Sequence, residues 1–169
     1  MVTPYQKQAH FSRVGDYDDK LGFLISGIFC MYLIQEDGTL FIKDFLHSPQ
    51  FFTATFAPQQ ANLVNFQALN EALVLEAGYS AIQNIFAKDR DLEILAKKGL
   101  EQRLTSLYER LESFATTDAT SRYLRFQEAH GNIEAEIPQH LIAAYIGITP
   151  TQLSRIRKKC NNLRRSQQM

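Results

Sequence analysis

The 169-residue chain has no tryptophan, only two cysteines, five prolines and eight glycines, and no excess of either charge. Two thiols, Cys30 and Cys160, cannot build a disulfide framework, a four-cysteine zinc site or a four-cysteine iron–sulfur cluster, and each reads as a small core residue. His10, His47, His130 and His140 stand apart, without the paired spacing of metal ligands, so no metal site and no metal-dependent enzyme is expected. No window holds 18 uncharged apolar residues, and Met1-Val2-Thr3-Pro4-Tyr5-Gln6-Lys7 lacks the basic-then-apolar order of a signal peptide. These absences point to a reduced, cytoplasmic protein with no membrane partner. Hydrophobic residues make up 45% and charged residues 21%, as in a globular domain rather than a disordered one.

The neutral total conceals a division. All 18 acidic residues lie in positions 1–154, which hold only twelve Lys and Arg and so carry −6. Positions 155–169 contain Arg155, Arg157, Lys158, Lys159, Arg164 and Arg165 and no acid, a net +6. A basic end on an acidic body suits an anionic polymer or surface as partner, although a bare charge run is more often a solvated, frayed tail. What precedes the run decides between them.

The first half reads as strands. Ten of the twelve phenylalanines fall between positions 5 and 87, among short apolar runs separated by turn residues. Gly15-Asp16 ends one run. Phe23 to Gly27, Ile28 to Gln35 and Phe41 to Leu46 follow, the last two joined through Asp37-Gly38, which predicts a hairpin with positive φ at both turn residues. Leu63 to Leu69 and Ala72 to Glu76 are two more runs, split by Asn70. This spacing predicts a sandwich or small barrel.

The second half changes to helical periodicity. Ala81, Ile82, Ile85 and Phe86 fit a short amphipathic helix. From Asp91 to Phe114 there is no proline, and Leu100, Leu104, Leu107, Leu111 and Phe114 recur at spacings of 4, 3, 4 and 3. That is the seam of a helix packed along a second helix, or of one lying on the sheet domain. Thr116 to Ser121 reads as a break, with Thr120 or Ser121 as cap of a helix carrying Tyr123, Leu124 and Phe126 and ended by His130-Gly131-Asn132.

Positions 139–160 carry the chemistry. Leu141, Ile142, Tyr145 and Ile146 line one side of a helix that follows Pro138, and Gly147 permits a tight turn. Thr149 is suited to cap a second helix with Pro150 at its first position, running from Thr151 to about Cys160. Ala143 is small where the helices must cross, and Ile148, Leu153 and Ile156 anchor the second on the first. Thr151, Gln152 and Arg155 then face outward as base-contact candidates, since Arg pairs bidentately with guanine and Gln with adenine. Thr149, Ser154, Lys158 and Lys159 are candidates for phosphate oxygens. With the basic tail beyond, the pattern predicts a partner of double-stranded DNA.

The run from Ile137 to Arg157 resembles the helix-turn-helix of Crp/Fnr-type transcriptional regulators. The resemblance extends upstream: Gly15-Asp16, Phe23 to Gly27 and Asp37-Gly38 sit where that family's cyclic-nucleotide-binding β-roll turns, and the leucine seam sits where its dimerisation helix lies. It implies an α+β fold: an antiparallel, jelly-roll-like β-roll over residues 1–88, a long dimerisation helix over 89–116, and a DNA-binding helix-turn-helix domain over 117–169. It further implies a bacterial, homodimeric, non-enzymatic regulator that recruits or blocks RNA polymerase.

Three departures qualify the resemblance. The chain opens almost on its first strand, where family members usually carry a helical segment. Many cyclic-nucleotide members have a Glu and an Arg-Ser/Thr-Ala cassette after the hairpin, whereas residues 45–70 here contain no Asp, Glu, Lys, Arg or Gly. A cyclic phosphate would find neither a cation nor a glycine-rich cradle, so cAMP and cGMP are not expected to bind. Phe45, Phe51, Phe52, Phe56 and Phe66 occupy that stretch and are candidates for an apolar effector pocket, or for plain core. Finally, Pro150, Thr151 and Arg155 stand where the family's recognition helix often carries Arg-Glu-x-x-x-Arg, so the target sequence is not inherited. A sensor or adaptor module, with the helix pair used for protein rather than DNA, is the alternative.

Overall fold

In the computed structural model the described residues are 1–47, 49–55 and 57–167, the last five by backbone alone. Two four-stranded antiparallel sheets form first. One orders its strands β1 (Val2–Tyr5), β8 (Ala72–Gly78), β3 (Lys20–Ser26), β6 (Gln50–Thr53). The other runs β2 (His10–Ser12), β7 (Asn65–Ala68), β4 (Ile28–Ile34), β5 (Leu40–His47). Apart from the step from β4 to β5, which stays in one sheet, the chain crosses between the sheets at every connection, as in a jelly roll and as predicted.

Alternation along the strands builds the core between the sheets. Leu24, Phe29, Leu46, Phe52, Phe66 and Val74 turn inward with Phe11 and Tyr5. Phe52 is the hub: its ring lies 4.5 Å from Phe11, 5.0 Å from Phe66 and 5.6 Å from Phe29. Ser12 and Asn65, polar and buried beside this core, are satisfied. Ser12 donates to the Val64 carbonyl at 3.1 Å, and Asn65 bridges the Val14 amide and the Tyr32 carbonyl.

The β4–β5 hairpin forms where Asp37-Gly38 predicts it, pairing Ile34 with Leu40. Its turn differs from the expected one. Of the two turn residues Gly38 alone has positive φ (83°), its amide bonds to the Gln35 carbonyl, and the Gln35 amide bonds to the Thr39 carbonyl. Three residues therefore cross the gap, a type I turn closed by a left-handed glycine. Asp37 serves differently, accepting from the Thr39 amide and hydroxyl.

Five α-helices follow: α1 (Tyr79–Phe86), α2 (Arg90–Thr116), α3 (Ala119–His130), α4 (Gln139–Ile146) and α5 (Pro150–Gln167). Asp89 caps α2, accepting from the amides of Asp91 and Leu92. Asp118, rather than Thr120 or Ser121, caps α3 by accepting from the Ser121 amide at 2.8 Å. The last helix continues beyond Cys160 to Gln167. No helix among the described residues is long and apolar enough to cross a membrane.

The chain divides into two compact units, Met1–Glu109 and Arg110–Met169, so the boundary falls inside α2 rather than at either of its ends. Within the first unit, Arg103 donates to Asp44 at 2.9 Å and to Gln50 at 2.5 Å, tying α2 to β5 and β6. The seam leucines point elsewhere. Leu100, Leu104, Leu107 and Leu111 are 60%, 49%, 53% and 67% exposed, so the seam is not spent on the sheet domain.

Candidate nucleic-acid interface

The second unit is assembled around α4 and α5. Leu141, Ile142, Ala143 and Ile146 of α4 are buried with Leu153 and Cys160 of α5, the spacing expected of two crossing helices. Ala143 is fully buried, and Ile148 and Ile156 are half-buried. Tyr123, Phe126 and His130 of α3 complete the core, with the Phe126 ring 5.7 Å from Tyr145.

With Leu153 and Cys160 turned in, the opposite face of α5 is set. Thr151, Ser154, Arg155, Lys158 and Lys159 are all exposed, and their spacing of i, i+3, i+4, i+7 and i+8 makes one polar stripe. This brings five of the seven predicted contact residues onto a single helical face. Arg164 and Arg165 have side chains outside the described residues.

The remaining two, Thr149 and Gln152, are engaged with one another. The Gln152 amide donates to Thr149 Oγ1 at 3.2 Å, and the Thr149 amide donates to Gln152 Oε1 at 2.9 Å. Thr149 thus caps α5 as predicted, and Gln152 reciprocates from the third helical position. A bidentate adenine contact needs the Gln amide oxygen and nitrogen together, so capping and adenine readout exclude each other. In this arrangement Gln152 holds the helix start, and Thr149 has its hydroxyl committed locally.

Arg157 also departs from the basic run. It turns inward, pairing with Glu134 at 2.7 Å beneath the Tyr123 ring. Tyr123 donates to the same carboxylate at 2.8 Å, and Gln127 donates to its other oxygen at 3.0 Å. Burial alone would raise the Glu134 carboxyl, but the donors Gln127 and Tyr123 and the Arg157 charge outweigh it and hold it below its ordinary value. Burial and the Glu134 hydrogen bond together push the Tyr123 phenol up to about 12. The network fixes α5 to α3. On the outer side, the Ser121 amide and hydroxyl hold Asp118 below the usual carboxylate range, with Lys159 and Arg122 adding to the effect. Lys159 and Asp118 thus lie in the same electrostatic neighbourhood.

Among the described residues, the phenylalanines of the charge-free stretch divide between the two faces of their strands. Phe52 and Phe66 are core, while Phe51, next along β6, emerges on the opposite face against Phe23 at 4.7 Å. Phe45 is buried on the face of β5 opposite Leu46, and Phe56 lies outside the described residues. Adjacent strand positions cannot share a side, so Phe51 and Phe52 do not line one pocket, and Phe52 and Phe66 follow the plain-core reading. Cys30 and Cys160 are both buried, and burial with the neighbouring Asp44 charge pushes the Cys30 thiol up to about 12, an unreactive thiol.

The sequence matches no protein-family profile and no curated protein. Solved structures match it over nearly its whole length. FixK2 from Bradyrhizobium japonicum superposes with a TM-score of 0.85 at 15% identity, covering 96% of this chain and 85% of that one. The chain has the fold of the Crp/Fnr-type regulators. CLP of Xanthomonas campestris, described as a c-di-GMP-responsive global regulator, gives a TM-score of 0.77 at 17% identity over 96% and 86% of the two chains. A transcriptional regulator of the CRP family from Thermus thermophilus, TTHB099, gives 0.72 at 18% identity over 97% and 85%.

Proposed function

We propose that this chain is a homodimeric, sequence-specific DNA-binding transcriptional regulator of the Crp/Fnr type, cytoplasmic and without enzymatic activity. The observation that carries this reading is the α5 stripe. A buried apolar edge holds the helix while Thr151, Ser154, Arg155, Lys158 and Lys159 remain exposed together on one side. In a symmetric dimer joined through the α2 leucines, two such helices would enter successive major grooves, with half-sites about 34 Å apart. Thr151 and Arg155 would read base edges, and Ser154, Lys158 and Lys159 would hold phosphates.

The reading includes an expectation about ligands. Residues 45–70 offer a cyclic phosphate no charge and no glycine. The aromatic rings of Phe11, Phe29, Phe52 and Phe66 lie against one another where the two sheets face. The regulator would accordingly act without cAMP or cGMP. Whether RNA polymerase is recruited or blocked would follow from where the target site lies.

A mobility-shift experiment against a random duplex pool, at two salt concentrations, tests the assignment. Retention at low salt, with enrichment of a near-palindrome, is expected. No retention of any duplex in dilute buffer would reject DNA binding and leave the helix pair as a protein-binding surface.

A further inference from the structure

A helix leaves its last four carbonyls without partners inside the helix. In α4 these belong to Ala143, Ala144, Tyr145 and Ile146, and all four are satisfied. Gly147 adopts the left-handed conformation (φ 72°), which aims the next two amides backward. The Ile148 amide reaches the Ala143 carbonyl at 3.0 Å, and the Gly147 amide reaches Ala144 at 3.3 Å. The other two carbonyls are taken by arginines from outside the helix pair. Arg110 Nη2, from the last turns of α2, donates to Tyr145 at 2.8 Å, and Arg122 Nε, from α3, donates to Ile146 at 2.9 Å. Arg122 also donates through Nη1 to the Thr117 carbonyl at 2.6 Å, which spans the α2–α3 junction.

Phe114 fills the space between. Arg110 and Arg122 lie over its ring at 5.4 Å and 5.3 Å, and Arg110 stacks on Tyr145 at 4.0 Å. The same ring approaches Gly147 so closely that a Cβ there would fall 2.7 Å from Phe114 Cε1. Position 147 is therefore held to glycine twice, by its backbone conformation and by this ring. The cationic ends of two arginines also sit at the negative end of the α4 dipole.

We propose that Arg110, Phe114 and Arg122 form a clamp that positions the turn between α4 and α5. On this assignment Phe114, the last residue of the leucine seam by spacing, serves the turn within its own chain. Arg122, although cationic and half-buried next to the reading unit, acts through two carbonyls and not on phosphate. These are positioning residues: they set the angle at which α5 is presented. The consequence for DNA rests on the function proposed above, but the clamp itself does not.

The test uses the full chain and two readouts. In Arg122→Gln, hydrogen exchange at the Gly147 and Ile148 amides should accelerate at least tenfold, while the Phe29 and Leu46 amides of the β-roll stay as in wild type. Arg122→Lys retains the charge but not the two-armed geometry, and should recover part of the protection. Phe114→Leu should accelerate the same two amides. Affinity for a selected duplex should fall at least fivefold in Arg122→Gln, with the dependence of log K on log salt unchanged. A residue on phosphate would lower that slope by about 0.9. Unchanged exchange at the turn would overturn the clamp, and so would a reduced salt slope. If wild-type protein bound no duplex while the turn amides responded as described, the clamp would stand and the DNA assignment would be lost.

Discussion

Thr149 and Gln152 satisfy each other's backbone amides: the Gln152 amide lies 3.2 Å from Thr149 Oγ1, and the Thr149 amide lies 2.9 Å from Gln152 Oε1. This relationship decides what position 152 can do. Gln152→Glu preserves the acceptor and places an anion at the helix N-terminus, where the dipole favours it. It should keep α5 intact, weaken every duplex through repulsion of phosphate, and leave base preference unaltered at each position. Gln152→Leu removes the acceptor and should cost about 1 kcal/mol of stability in the second unit. Selection from a random pool with each variant checks this, and a preference altered at one base pair would make Gln152 a reader.

Arg155 and Lys159 lie one turn apart on the exposed stripe but should fail in different ways. Arg155→Ala should relax discrimination by about 1–3 kcal/mol at one base position while leaving non-specific binding nearly constant. Lys159→Ala should weaken target and random duplex alike and lower the salt slope by about 0.9. The neighbouring Asp118 already offers Lys159 a counter-charge, so Asp118→Asn should tighten non-specific binding. Titrations at several salt concentrations separate these outcomes. Equal affinities in all three variants and wild type would remove α5 from the interface.

Much of this site was legible in the residues. Apolar spacing located α4, Gly147 and α5, and Thr149-Pro150 marked the start of the second helix. The missed signal was also present: Thr149-Pro150-Thr151-Gln152 is a threonine followed three positions later by a glutamine, the capping-box pattern. Arg157 could not be judged from the charge run, because its inward turn depends on Glu134, Tyr123 and Gln127, which are distant in sequence. Arg110 and Arg122 were hidden for the same reason, since their partners are carbonyl groups and backbone acceptors leave no trace in side-chain pattern. In the β-roll, alternation alone would have separated Phe51 from Phe52 had the strand at Gln50–Thr53 been recognised. Only four residues long and with its two aromatics adjacent, it shows too little alternation to stand out, although Pro49 marks its start.

The leucines of α2 should carry self-association. Leu104, Leu107 and Leu111 are about half exposed or more, and Arg103 anchors the same helix to β5 and β6. Leu107→Lys removes an apolar group that touches little within the chain. It should change unfolding of the isolated chain by no more than about 0.5 kcal/mol. It should nonetheless shift sedimentation from dimer to monomer and weaken duplex binding, because each half-site would be engaged singly. A dimer unaffected by Leu107→Lys combined with Leu104→Lys would place the interface elsewhere.

The Glu134 network should give the second unit a defined window of stability. The folded carboxyl titrates below its ordinary value of 4.5, so the unfolded chain binds more protons in acid. That contribution is fully present above the unfolded value and is lost as pH falls through the folded one. Tyr123 limits the alkaline side: with its phenol pushed up to about 12 from 10.0, the folded state keeps a proton that the unfolded state releases, and stability declines as pH rises through that interval. Glu134→Gln should cost about 1–2 kcal/mol at neutral pH, since Arg157 loses its counter-charge in a partly exposed site. It should also flatten the acid limb of the melting profile for the α3–α5 unit. Tyr123→Phe should flatten the alkaline limb and, by removing one donor to Glu134, shrink the acid limb without abolishing it, since Gln127 and Arg157 remain. A Glu134→Gln profile that ran parallel to wild type between pH 3 and pH 6 would show that the carboxylate is not what secures α5.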